Sequence, residues 1–137
     1  MKHFKAHILV FCLFISLICF AQNPKVDQAR ANYIAQKLQL TEAESQKFWP
    51  LYNEYVDKLK QIRKERRKLF SQFQYSLNPA DAEEFTKKYI QLENAESLIK
   101  QEYIQKFRQV IGVIKTAHFI KAEEEFRLEL VKILKSD

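Results

Sequence analysis

TEAESQKFWPLYNEYVDKLKQIRKERRKLFSQFQYS, residues 41–76, decides the fold. It opens with Thr41 and, three residues on, Glu44. This is the spacing of a capping box, in which each side chain accepts from the other residue's free backbone N–H. Behind the cap, Phe48, Tyr52, Tyr55, Leu59, Ile62, Leu69 and Phe73 advance by alternating threes and fours, with one gap at Arg66. The spacing predicts a long helix from Thr41 to about Ser76, whose apolar stripe is a bundle or coiled-coil seam.

Working outward, the same signals recur on both sides. Asn78-Pro79 is an N-cap followed by a proline at the first helical position, and Asp81 adds an acid to the first turn. Phe85, Tyr89, Leu92, Ile99, Tyr103, Phe107 and Val110 then form a second seam of the same period, with Glu96 in its gap, to about Ile111. Upstream, Asn23-Pro24 opens a short helix to about Gln39 with Val26, Ala29, Tyr33, Ile34 and Leu38 inward. Gly112 can take the left-handed conformation that closes a helix. Lys115-Thr116 then opens a last helix, with Phe119, Ala122, Phe126, Leu130 and Ile133 inward. The expectation is an all-α chain of four helices: a long antiparallel hairpin with short flanking helices, elongated and open to a cradle shape.

The first 21 residues are of another kind. Lys2 and Lys5 precede a thirteen-residue apolar run, Ile8 to Phe20, and Cys19 and Ala21 are small residues at the −3 and −1 positions before Gln22. This is the layout of a cleavable secretory signal, and the run is shorter than the ~20 residues a spanning helix needs. Residues 1–21 are therefore expected to be removed, leaving 22–137 as a single helical domain in the periplasm. Both cysteines leave with the signal, so disulfides and thiolate metal sites go with them. The remaining 21 basic and 17 acidic residues give a net charge of +4, which favours anionic partners without naming one.

Several residues stand out against this frame. Arg66 and Glu96 each occupy the middle of an apolar stripe, about one helical turn apart in level, which predicts an inter-helix ion pair that fixes register. The alternative is that both groups turn outward to water. Lys58, Lys60, Arg63, Lys64, Arg67 and Lys68 make a basic run, either a solvated helix face or a contact surface for anionic lipid, polysaccharide or acidic segments of a client. On a helical wheel Lys60, Lys64, Arg67 and Lys68 lie opposite the seam, while Lys58 and Arg63 flank it. Trp49-Pro50 sits two turns into the long helix and predicts a bend. His118 is the one histidine after residue 21, too little for a transition-metal site, so no cofactor is expected. The chain has no glycine-rich phosphate loop and no nucleophile elbow, and no pair of carboxylates is singled out by spacing. It reads as a non-enzyme. Nucleic acid is not an expected partner, since export separates the chain from it.

Leu40-Thr41-Glu42-Ala43-Glu44, at the start of a long helix in a small exported helical chain, resembles the LTxxQ motif of the Spy/CpxP family. Leu40 and Thr41 match directly; Glu44 stands where the motif has glutamine and keeps the capping box. Phe48-Trp49-Pro50-Leu51-Tyr52-Asn53-Glu54-Tyr55 is also similar to small envelope proteins of that type, some of them sensors for an extracytoplasmic-function sigma factor. The resemblance implies a cradle-like homodimer that binds unfolded or stress-damaged proteins without ATP. It equally implies an envelope-stress sensor that docks on a membrane-bound anti-sigma regulator. Peripheral contact with anionic membrane is a further expectation from the basic run.

Overall fold

The computed structural model of the chain describes residues 24–73, 75 and 78–136, and these are helical with short connections and no strand. The signal at 1–21 and its cleavage point lie outside the described residues. The long helix expected to reach about Ser76 stops at Gln72, because Phe73 is already extended, at φ −78° and ψ 116°. Three helices form rather than the four expected: α1, Pro24–Leu38; α2, Glu42–Gln72; and α3, Pro79–Ser136.

The difference lies at Gly112. Helical geometry resumes directly after it, at Val113 rather than at Lys115-Thr116, and Gly112 alone departs from helical geometry, at φ 75° and ψ 171°, so that α3 is two helical segments joined at one residue without a loop. The bend is nevertheless sharp. In a straight helix Phe107 and Phe119 would be about 18 Å apart, at 1.5 Å per residue, yet their ring centroids are 4.8 Å apart. The second half of α3 therefore folds back along the first. Thr116 ties the corner, its hydroxyl donating to the Gly112 carbonyl at 2.7 Å from a buried position.

The cap of α2 is complete. Thr41 N–H donates to Glu44 Oε2 at 2.8 Å, and Glu44 N–H donates to Thr41 Oγ1 at 3.3 Å. Glu44 also accepts from Lys115 Nζ at 2.6 Å, and the same ammonium donates to the Gln39 carbonyl at 3.1 Å. Gln39 has φ 45°, a left-handed residue that ends α1 and turns the chain toward Leu40, which is partly buried against the core. One lysine thus holds the α1–α2 turn, the α2 cap and the start of the second half of α3 together. α2 continues through Pro50, which is exposed and supplies no backbone donor. Trp49 is partly buried, edge-on to Phe48 at 5.1 Å and to Tyr52 at 5.4 Å.

α2 and the first half of α3 pair antiparallel, since their partners run in opposite order: Phe48 with Phe107, Tyr55 with Tyr103, Arg66 with Glu96, Phe70 with Phe85. α1 lies along the second half of α3, from Gln39 beside Lys115 to Arg30 at Glu123. The core fills the space where all four segments meet: Ile34, Leu38, Phe48, Tyr52, Tyr55, Val56, Leu59, Tyr103, Phe107, Ile111, Phe119 and Ala122. Val56 enters it from beside the predicted stripe, whereas Ala29, Tyr89 and Ile133, expected inward, are exposed. α1 has 15 residues and α2 has 31, so α1, at about 22 Å, is half as long as α2, and it packs on α3. Beyond it α2 and α3 project as a two-helix arm. Its tip carries a satellite of rings, Phe73 stacked on Phe85 at 4.2 Å and Phe70 edge-on to Phe85 at 5.4 Å.

Candidate functional site

Two regions carry chemistry: the arm, and a cleft where the bundle gives way to it. On the arm, the seam ion pair is made. Arg66 Nη2 donates to Glu96 Oε2 at 2.6 Å and also lies 2.7 Å from Glu93 Oε1, while Lys100 Nζ reaches the other Glu96 oxygen at 2.6 Å. Burial works against the charged form of Glu96. The hydrogen bonds from Lys100 and Arg66 outweigh it and hold the carboxyl below its usual range. Arg66 is shifted up by the same bond to Glu96. Its Nε is buried and has no hydrogen-bond partner among the described residues, so the two carboxylates are held through Nη2.

The basic run does not form one surface. Lys64, Arg67 and Lys68 are exposed on the arm. Lys58 is exposed at its backbone level but lays its ammonium 5.5 Å from the centroid of the fully buried Tyr103 ring, which Lys106 faces at 4.4 Å. Lys60, placed by the helical wheel on the outer face, instead pairs with Asp27 of α1 at 2.7 Å. Arg63 turns into the cleft. The flanking position expected for Arg63 is consistent with this, but the outer position expected for Lys60 is not: the wheel knows only one helix, and the Asp27 side chain of α1 reaches Lys60 from beside it.

The cleft has a volume of about 620 Å³ and draws on all four segments, with Asp27 and Arg30 from α1, Tyr55, Leu59 and Arg63 from α2, Glu96, Lys100 and Ile104 from the first half of α3, and Phe119, Glu123, Glu124, Phe126, Arg127 and Leu130 from the second. Its acids are all engaged. Glu123 is clamped by Arg30, whose Nε donates to Oε1 at 3.0 Å and whose Nη2 binds the second oxygen. Glu124 pairs with Arg127, Asp27 with Lys60, and Glu96 with Arg66 and Lys100. Arg63 has no ion pair or hydrogen bond among the described residues, and burial, reinforced by the like charge of Arg30, lowers its pKa. Asp27, Arg30 and Glu123 carry no signal in the sequence. Arg30 and Glu123 are 93 positions apart, and nothing local to either marks the pairing.

Among the described residues, no group of three or more His, Cys, Asp or Glu side chains could hold a metal ion. His118 lines a small hollow with Lys37, Lys121 and Glu125. No described helix is long and apolar enough to cross a membrane. Comparison of the chain with protein-family models, with curated proteins and with solved structures gives no match.

Proposed function

We propose that this chain is an exported, non-enzymatic protein-binding protein of the Spy/CpxP-like type, acting in the periplasm as an ATP-independent chaperone or envelope-stress protein and paired as a cradle-like homodimer. The observation that carries the reading is the arm. A layer two helices thick buries only its seam, and here the outward positions hold both large apolar and cationic groups. Ile90 and Leu98 are exposed, in the case of Leu98 to 65%, and Phe70 and the seam residue Tyr89, although they meet across the two helices, are exposed as well, with Arg67 and Lys68 on the same arm. Exposed apolar side chains in such number, set among charges, mark an interaction surface.

The mechanism is weak capture at several points. The cations draw in acidic or partly unfolded segments, the apolar side chains hold them, and release needs no fuel because each contact is individually weak. The test is aggregation of a chemically denatured client, followed by light scattering at a one-to-one ratio with residues 22–137. The chain is expected to suppress scattering, and a variant combining R67E, K68E, I90S and L98S is expected to lose most of that effect. No suppression by the unaltered chain would remove the proposal.

A further inference from the structure

The cleft at the mouth of the bundle lies apart from the outward surface of the arm, and its chemistry is different. Apolar side chains, chiefly Leu59, Ile104, Phe119, Phe126 and Leu130, supply most of its surface, and charged side chains stand among them. One positive charge, that of Arg63, faces into it with no hydrogen bond or close ion pair among the described residues; Glu96 and Asp27 act on it only at longer range, and each carboxylate around it already holds another cation. A guanidinium partly withdrawn from water and left unpaired carries a desolvation cost that an incoming anion would offset. An inorganic dianion fits poorly, because the carboxylates of Asp27, Glu96, Glu123 and Glu124 line the same cleft and most of its remaining surface is apolar. The volume is within the range of small-molecule sites.

From this arrangement we infer that the cleft binds a single-chain amphiphile with a monoanionic carboxylate head, a fatty-acid type of ligand, the head on Arg63 and the alkyl chain along Leu59, Ile104 and Phe119. Arg63 supplies up to two parallel N–H donors to the carboxylate, and the chain supplies affinity by leaving water. The site needs neither the arm's surface nor a second copy of the chain, so it stands or falls separately from the capture of proteins.

The experiment is calorimetric titration of residues 22–137 with decanoate below its micellar concentration, with decanol as the uncharged counterpart. Decanoate is expected to bind saturably at one per chain, and decanol about tenfold or more weaker, the loss expected for one charge-assisted contact. Arg63→Met is expected to bring decanoate down to the affinity of decanol, and Arg63→Lys to fall between. Removing an unpaired, half-buried charge should leave the helical circular dichroism spectrum unchanged, and the comparison of decanoate with decanol needs no variant. Non-saturable binding, equal affinity for the two ligands, or an unaltered affinity in Arg63→Met would overturn the assignment. So would a short apolar peptide with a free C-terminal carboxylate that binds through Arg63 where decanoate does not.

Discussion

Gly112→Ala isolates the backbone strain at the corner of α3 from every other contribution. Gly112 sits at φ 75° and ψ 171°, a region that is essentially closed to residues with a Cβ. A Cβ built there meets no atom within 4 Å, so no packing clash confuses the result. Holding an L-residue in this conformation costs about 1–3 kcal/mol. For a domain of this size each kcal/mol moves the melting point by about 4 °C, so thermal unfolding is expected about 4–12 °C lower. The control is D-alanine at 112, introduced by semisynthesis. Its allowed conformations are mirror images of those of L-alanine, so φ 75° with ψ 171° falls in its extended region. It also loses less freedom on folding than glycine and is expected to be neutral or stabilising by up to about 1 kcal/mol. If L-alanine leaves the urea midpoint unchanged, or if D-alanine destabilises as much as L-alanine, then strain at Gly112 does not set the corner. Relief of the strain by straightening is a distinguishable outcome, since it would separate Phe119 from Phe107 and unprotect the amides of α1 to exchange.

Two more outcomes follow from the charged contacts. The Glu44 carboxyl is held below its ordinary range by the hydrogen bond from Lys115 and then by the Thr41 backbone N–H. A carboxylate depressed in the folded state stabilises above its unfolded pKa, and that stabilisation is lost as pH falls through the folded value. Stability is therefore expected to decline from about pH 5 downward, and Glu44→Gln is expected to shallow that slope in urea titrations between pH 7 and pH 3. At the seam, a double-mutant cycle of Arg66→Leu with Glu96→Leu is expected to show coupling of about 0.5–1.5 kcal/mol, because both groups are partly buried yet Glu93 and Lys100 remain as substitute partners. Additive losses in chemical denaturation would mean that the pair does not act as a unit.

The helices and the local devices that start them can be read from the chain without its fold. The Thr41–Glu44 cap, the prolines at the heads of α1 and α3, and the two seams depend on neighbours within a turn or two of chain, so spacing alone reveals them. The Arg66–Glu96 pair was legible for the same reason, since two gaps in matched stripes across a hairpin meet when the turn is located. Gly112 was legible as a break but not as a corner, because a positive φ says that helical geometry stops without saying where the next segment points.

Which faces are inner and which are outer depends on how the helices pack. Lys60 and Arg63 read as parts of a basic face until α1 is laid beside them; Asp27 then takes the first, and the cleft takes the second. Ala29 and Ile133 fit an inward stripe, but α1 and the end of α3 each present more apolar positions than their few neighbours can cover. The cleft itself exists because α1 is half as long as α2, so four packed segments become two within one helical layer. A helical wheel assigns directions around one axis. Burial and pairing depend on what stands in those directions, and here that was set by the fold-back at Gly112 and the reach of α1.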